Sequence, residues 1–225
     1  MSDVKKIRKY DTRTRSKQAR RNREAIIDVA RREFLEAGYA ATTIAVIARL
    51  AGVSVETVYK SFGGKPGLVR AIYERGLAGR GPVPAYERSD EMSAHEPDAH
   101  VIIRNWGVLA AEVSPLAAPI LLLVRAAAGT DADLAAMLEE SDKNRLVRMR
   151  QNAKLLADRG FLRPGVTIER AADIMWTHTA PEFYELLVVR RGWTPDKFGE
   201  FVASTLSAAL LPPPPHSAVS PRRRE

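Results

Sequence analysis

The segment from Thr42 to Phe62, TTIAVIARLAGVSVETVYKSF, constrains the fold most, because it predicts two short helices joined by a tight turn. Gly52 can adopt the left-handed conformation with which many helices end. Ser54 can then cap the free amide groups of the next helix. Such a pair is a helix-turn-helix, and its second helix can enter the major groove of DNA. Apolar residues recur at helical spacing in the first helix, at Ile44, Ile47, Ala48 and Ala51.

Positive charge is concentrated around this motif. Residues 1–75 contain 17 basic and 8 acidic side chains, whereas the remainder is nearly neutral and the whole chain has a formal net charge of +8. A basic module attached to a neutral remainder is typical of a nucleic-acid-binding domain joined to a second domain. The alternative interpretation of the motif, a helical hairpin in an ordinary bundle, does not explain this distribution of charge.

Five short motifs follow one another between Arg23 and about Leu77: F-x-x-x-G-Y, T-T-I, I-A-x-x-A-G-V-S, T-V-Y-x-x-F and G-K-x-x-L. With them the chain resembles the amino-terminal domain of the TetR (tetracycline-repressor-like) transcriptional regulators. It departs from the family pattern at Ala45 and Val46, where polar residues are usual, and at Pro66-Gly67, which replaces a helix-forming pair. Proline is compatible with the first turn of a helix, where its missing amide has no partner.

The resemblance implies an all-α protein with an amino-terminal three-helix helix-turn-helix DNA-binding domain, followed by a helical ligand-binding and dimerisation domain. We expect a sequence-specific transcriptional regulator, a repressor that a small-molecule effector releases from its operator. The effector is unknown. The expected regions are a basic arm without regular structure (1–15), the DNA-binding domain (16–78), an interdomain loop (79–97), the effector and dimerisation domain (98–211) and a Pro/Arg-rich tail (212–225).

Side chains near the amino end of the second helix are expected to read base edges, while the groups around it hold phosphates. Thr57 offers a methyl group and a hydroxyl group to bases, and its alternative role is a solvated surface residue. In the family pattern Tyr59 contacts a phosphate, and its ring can also pack between helices. The predicted contacts to the double-stranded DNA operator are Thr43, Ser54, Thr57, Tyr59, Lys60 and Lys65.

The last predicted helix carries an apolar stripe, with small residues beside it that allow another helix to approach closely. Together with the helix before it, this stripe is predicted to form the interface of a homodimer, which an operator with two half-sites requires. The alternative is a core within one chain. The predicted interface consists of Phe183, Leu187, Phe198, Phe201, Val202 and Leu206.

Aromatic and polar residues on otherwise apolar helices are typical of ligand pockets, but also of well-satisfied cores. The candidate effector-binding residues of this kind are Trp106, Arg125, Trp176, His178, Glu182 and Tyr184. His178 and Glu182 lie one helical turn apart, but two groups do not make a metal site, so a structural hydrogen bond is favoured. No metal ligands, cofactor or catalytic residues are predicted.

Composition also bears on disulfides, metal sites and a location in or across a membrane. The absence of cysteine excludes disulfides and thiolate metal sites. The charged start lacks a signal peptide, and the apolar run from Pro119 to Val124 is shorter than the about 20 residues that cross a bilayer. We therefore expect a cytoplasmic protein without a membrane partner.

Two other function classes were weighed against the regulator. A small helical ligand-binding protein or enzyme with an incidental basic arm would be expected to show a catalytic triad or a phosphate-binding glycine loop. A protein that binds a membrane surface through residues 1–23 would need an apolar helix face there. The sequence shows none of these features.

Overall fold

A computed structural model describes residues 3–213, and this part of the chain contains helices and no strand. The predicted all-α class is therefore confirmed. The helices are α1 Asp3–Ala41, α2 Ile44–Leu50, α3 Val55–Phe62, α4 Lys65–Ala78, α5 Ala85–His95, α6 Ala99–Ala127, α7 Ala132–Asp158, α8 Ile168–His178, α9 Pro181–Tyr184, a π-helical segment Glu185–Arg190, and α10 Pro195–Leu210. The predicted tail at 212–225 lies, except for its first two residues, outside the described residues.

The first helix is longer than predicted. It begins at Asp3, so that residues 3–15, for which an arm without regular structure was expected, continue α1. Lysine and arginine are good helix formers, and residues added to an existing helix need no new nucleus. At the other end Gly38 interrupts the helical backbone with a φ of 82°, as the predicted stop requires.

The chain folds into two compact units, whose borders differ from the predicted domains. One unit comprises Met1–Gly79 and Leu116–Glu140, and the other comprises Arg80–Pro115 and Ser141–Glu225. The borders therefore fall inside α6 and α7. The stretch 79–97, expected to be a loop, contains α5.

The first unit contains the predicted DNA-binding domain, and it is called the DNA-binding unit for that reason; it is built around α1. This helix packs against α2 and α4, and α3 packs against α2 and α4 in turn. Each large apolar side chain that is fully buried stabilises such a core by about 1.5–3 kcal/mol. Its fully buried residues include Ile26, Phe34, Ile47, Val58, Leu68, Val69, Ile120, Val124 and Leu134.

In the second unit, helices α6 and α10 cross in close contact. A Cβ atom on Gly107 would lie 2.5 Å from the carbonyl oxygen of Gly199, so the two helix backbones meet directly. The small residues of the last helix thus do allow close approach, but to α6 of the same chain. Phe198, Val202 and Leu206 are only 1–2% exposed, because they belong to this core. Their assignment to the dimer interface was wrong.

Helix α6 runs unbroken through Pro115 and Pro119. With a mean hydropathy of 2.0 over an 18-residue window, it is long and apolar enough to cross a membrane by length and composition. The short run from Pro119 to Val124 therefore underestimated the length of this apolar helix. Its residues Ile102 and Ile103 are buried in the second unit, and Val124 is buried in the DNA-binding unit.

Replacing Leu206 with alanine tests whether this residue belongs to the core. A buried leucine truncated to alanine costs about 2–5 kcal/mol of unfolding free energy, and we expect a loss in that range. The matched control is Val147→Ala on α7, because Val147 is 44% exposed and its truncation should change stability by less than about 0.5 kcal/mol. Urea unfolding followed by circular dichroism measures both. Equal stability of the two variants would place Leu206 at the surface.

Candidate nucleic-acid interface and effector region

The helix-turn-helix forms as predicted, and two hydroxyl groups cap its helices. Thr43 precedes α2 and its Oγ1 accepts a hydrogen bond of 3.3 Å from the amide of Val46. Ser54 precedes α3 and its Oγ accepts one of 3.1 Å from the amide of Thr57. Gly52 has a φ of 67° in the turn between them, which favours glycine. The start of α3 is therefore rigidly defined.

The hydroxyl groups of Ser54 and Thr57 also lie 2.8 Å apart, which pairs them with each other. Thr57 is half-buried. Both residues were predicted to contact DNA. The structure instead gives both hydroxyl groups a local role in the first turn of α3, so that Thr57 is left with its methyl group as its main contact for a base.

Three side chains of α3 are exposed, and one of them settles between the two roles that the sequence suggested for Tyr59. Tyr59 is 52% exposed, so its ring is not packed between helices and is available to a phosphate. Lys60 is exposed beside it. Val55 is 42% exposed, whereas Val58 is fully buried.

Lys65 begins α4, and its ammonium group is held at the end of α1. Its Nζ donates a hydrogen bond of 2.6 Å to the carbonyl oxygen of Tyr39 and lies 4.2 Å from the centroid of the Tyr39 ring. If Lys65 also contacts a phosphate, as predicted, its ammonium group makes that contact in addition to these two interactions. Next to it, a Cβ atom on Gly67 would collide with the carbonyl of Phe62, which explains why glycine follows Pro66 here.

Tyr39 connects three helices of the DNA-binding unit, a role that the sequence did not suggest. Its hydroxyl group donates a hydrogen bond of 2.6 Å to the Oδ2 of Asp131, a residue 92 positions away. Asp131 in turn caps α7, because its Oδ1 accepts bonds from the amides of Asp133 and Leu134. Burial and the hydrogen bond to Asp131 raise the pKa of the Tyr39 phenol. The same hydrogen bond lowers the pKa of Asp131.

The exposed basic residues of α1 precede Arg23 in the sequence, and they are called the basic surface of α1. Arg23 itself donates a hydrogen bond of 3.2 Å to the carbonyl of Ser61 and stacks 4.4 Å from the Phe62 ring, so it holds the end of α3. Lys17, Arg20 and Arg21 are exposed. These three charges are available to phosphates.

Two of the candidate effector residues are satisfied core residues of the second unit. Trp106 is 8% exposed, and its Nε1 donates a hydrogen bond of 3.0 Å to the Oγ of Ser93. Tyr184 is 7% exposed and meets the ring of Phe198 edge-on at 5.6 Å. Both therefore contribute to packing of this unit.

Trp176 belongs to a polar cluster between α7 and α8. The guanidinium group of Arg145 lies 4.3 Å from the ring centroid of Trp176 and donates a hydrogen bond to the Trp176 carbonyl. Asp142 lies 3.2 Å from the same guanidinium, and its carbonyl accepts a hydrogen bond from Trp176 Nε1. A carboxylate oxygen of Glu182 is buried in the same unit. Charged and aromatic groups thus stand together inside an apolar unit, as in ligand pockets.

The other two candidates lie elsewhere. Arg125 is exposed and belongs to the DNA-binding unit, whereas the other effector candidates belong to the second unit. The Nδ1 of His178 lies 2.7 Å from the carbonyl of Ile174, one turn earlier on α8. Among residues 15–213, whose side chains the structure describes, no group of three histidine, aspartate or glutamate side chains can hold a metal ion.

Half-exposed aromatic rings form a surface cluster on the second unit. His178 stacks on Phe183 at 5.6 Å, and Phe201 lies 6.5 Å from both rings. Trp193 meets Phe201 edge-on at 5.9 Å. This aromatic cluster, His178, Phe183, Trp193 and Phe201, contains two of the predicted interface residues.

Two strongly exposed apolar residues occur in the π-helical segment, on the helix that was predicted to contribute to the dimer interface. Leu186 is 51% and Val189 is 63% exposed. The predicted interface residue Leu187 lies between them and is half-buried.

Comparison with known proteins agrees with this geometry. Residues 26–72 match the family model for bacterial regulatory proteins of the tetR family. This match covers α2, α3 and the facing parts of α1 and α4, which are the elements that form the helix-turn-helix and its support. No curated relative matches the chain by sequence.

Solved structures of similar fold cover most of the chain. SmeT in complex with triclosan is 23% identical, with a TM-score of 0.66 over 85% of this chain and 92% of that chain. NalD, the secondary repressor of the MexAB-OprM multidrug efflux pump in Pseudomonas aeruginosa, is 21% identical, with a TM-score of 0.65 over 86% and 98%. FadR, a fatty acid degradation regulator from Bacillus halodurans, is 16% identical, with a TM-score of 0.65 over 82% and 94%.

Replacing Tyr39 with phenylalanine tests the bond to Asp131. We expect a loss of about 0.5–1.5 kcal/mol of unfolding free energy at neutral pH, the usual net value of one hydrogen bond. The folded-state pKa of Asp131 is lowered, so this stabilisation is present above the ordinary aspartate pKa and is lost as pH falls through the lowered value. Urea unfolding of both proteins from pH 7 down to pH 3 measures the difference. A difference that does not shrink at low pH contradicts the assignment.

Proposed function

We propose that the chain is a regulator of the TetR family, a sequence-specific DNA-binding repressor that a small-molecule effector releases from its operator. The observation that carries this proposal is the capped start of α3, which holds exposed side chains next to the basic surface of α1. Such a regulator needs no catalytic group, so we propose no enzymatic activity, and we propose the cytoplasm as its place of action.

In the proposed complex α3 lies in the major groove, where side chains near its amino end reach base edges. Tyr59 and Lys60, both exposed, contact phosphates on either side of the groove. Thr43 contributes the amino end of α2, where free amides and the helix dipole favour an anion. Lys65 adds its charge from the start of α4. The basic residues of α1 add phosphate contacts that carry no base code.

Binding to the DNA upstream of its own gene tests the function and the basic surface together. We expect specific binding in fluorescence anisotropy, with an affinity that falls steeply as salt rises. The double variant Arg20→Gln/Arg21→Gln should weaken specific and random DNA alike. Because each phosphate contact contributes about 0.9 to the slope of log affinity against log salt, that slope should decrease by about 2.

The matched control is Arg150→Gln, because Arg150 is exposed on α7 in the second unit. Its salt slope should equal that of the unchanged protein. A double variant with an unchanged slope would remove α1 from the DNA interface. Equal affinity of the unchanged protein for upstream and random DNA would contradict operator recognition at this site.

We further propose that the chain acts as a homodimer, since an operator with two half-sites requires two reading helices. Phe198, Val202 and Leu206 are buried in the core and are not part of the proposed interface. This interface comprises Phe183, Leu187 and Phe201, together with Leu186 and Val189. These residues are half-exposed or exposed and lie on neighbouring segments of the second unit. An apolar surface of this kind is favourable to cover with a second copy.

Val189→Glu tests the interface without disturbing the core, because Val189 is 63% exposed. A charge buried without a partner at an interface costs several kcal/mol, so we expect a monomer that keeps its helical content. Operator binding should weaken with it. Sedimentation velocity measures the oligomeric state, and Val147→Glu on α7 is the control that should leave it unchanged. A Val189→Glu protein that remains dimeric would place the interface elsewhere.

The effector is proposed to bind in the second unit, at the cluster of Trp176, Arg145 and Asp142. A ligand shifts the protein away from its DNA-binding state only if it binds the other state more tightly. Because α6 and α7 contribute to both units, we propose that they carry this coupling together with α4. SmeT has been solved with triclosan, so triclosan is a reasonable first ligand to titrate.

A further inference from the structure

We propose that the DNA-binding unit contains a small-molecule site of its own, which takes an amphipathic carboxylate, that is, an apolar chain with a carboxylate at one end. The site is a cavity at the end of α4, called the α4 cavity, and it is lined by Arg31, Ile72, Arg75, Gly76, Gly79 and Leu116. All six residues belong to the DNA-binding unit. The site is therefore separate from the cluster at Trp176, which belongs to the second unit.

The α4 cavity has the size of a ligand pocket. Its volume is about 310 Å³, at the lower end of the range of about 300–1,000 Å³ that is typical of sites for small molecules. The lining residues of α4 recur at spacings of three and four, so they share one face of this helix. Helix α1 contributes Arg31, and α6 contributes Leu116. Three helices thus bound the cavity.

Glycine at two positions of α4 leaves this space open. A Cβ atom on Gly76 would lie 3.0 Å from the carbonyl group of Leu116, so glycine lets α4 pass close to α6 at this point. Gly79 follows one turn later and ends α4 with a φ of 77°, a conformation that favours glycine. Neither position contributes a side chain, so the space beside Leu116 is not filled from α4.

Aliphatic side chains form the apolar part of the lining. Ile72 is 1% exposed, and Leu116 is half-buried. An apolar chain that lies against them exchanges contacts with water for contacts with aliphatic carbon. Each methylene group that becomes buried raises the affinity about fourfold. The cavity therefore favours a ligand with a short hydrocarbon part.

Two half-buried arginines form the charged part of the lining. The Nη1 of Arg75 lies 2.8 Å from the Oδ1 of Asp28 and 3.3 Å from the Oε2 of Glu24, so α1 holds this guanidinium group in place. Both carboxylates are exposed and lie outside the lining. A guanidinium group has five N–H donors in a rigid fork, so Arg75 has further donors to offer. Together with Arg31 it favours an anion, and a carboxylate matches the fork in shape.

The position of the α4 cavity gives a bound molecule a structural effect. Helix α1 packs against α2 and α4, and α3 packs against α4. A molecule in the cavity contacts α1 and α4 together, and these two helices support α3. Because it binds the folded unit, it stabilises that support by mass action.

Isoleucine-methyl NMR of the full-length protein locates a bound molecule directly. Ile72 lies in the cavity, whereas Ile102 and Ile103 are buried in the second unit and report on binding there. The probes are sodium octanoate and 1-octanol, which has the same chain length without the charge. Octanoate should shift the Ile72 signal until it saturates. 1-Octanol should bind at least about tenfold more weakly, since it lacks the charge-assisted hydrogen bonds.

Two variants test the two parts of the lining. Arg31→Gln should weaken octanoate binding about tenfold or more, whereas Arg32→Gln, at an exposed neighbouring position of α1 outside the cavity, should leave it unchanged. Leu116→Phe fills the cavity without changing its charge and should abolish the shift of Ile72. Its control is Val108→Phe, at a position of α6 that is 61% exposed. Replacing Arg75 would also remove its bonds to α1, so Arg31 is the arginine to change.

Thermal unfolding without ligand checks that each variant is folded. If Leu116→Phe does not fold, Arg31→Gln and its control decide the question. An Ile72 signal that octanoate leaves unshifted overturns the proposal, and so do equal affinities for octanoate and 1-octanol. An Arg31→Gln protein that binds octanoate as tightly as Arg32→Gln does also overturns it.

Discussion

The structure of the DNA-binding unit depends on how an eight-residue helix is held in place. Isolated helices shorter than about 12–15 residues are marginal in water, so α3 owes its position to its surroundings. Val58 anchors it in the core, Ser54 caps its first turn, and Arg23 holds its last turn through Ser61 and Phe62. Because these contacts lie on one side, the opposite face is free to bind DNA.

A second layer of support comes from residues far away in the sequence. Tyr39 joins the end of α1 to Lys65 at the start of α4 and to Asp131 at the start of α7. Arg70 on α4 pairs with Glu140 on α7 at 2.8 Å. The part of α7 that belongs to this unit is therefore bonded to the helices that support α3. Both α6 and α7 continue into the second unit, where the effector is proposed to bind.

The helix-turn-helix could be predicted from the sequence, because its capping residues and its turn glycine act on residues close to them in the chain. Periodicity was less reliable, since it identifies an apolar face but not which surface covers it. The stripe of Phe198, Val202 and Leu206 meets α6 of the same chain, and Val55 lies outside the core of α3. The bond between Tyr39 and Asp131 joins positions with no local relation, so no sequence pattern indicated it.

In the proposed complex two copies of this chain read DNA with two α3 helices. Hydroxyl-radical footprinting of the protein on the DNA upstream of its own gene tests this most directly, because it resolves protection at single nucleotides. The account predicts two protected half-sites related by two-fold symmetry, with centres about 34–36 Å or a multiple of that distance apart. Uniform protection without discrete half-sites, or a single protected site, would contradict it.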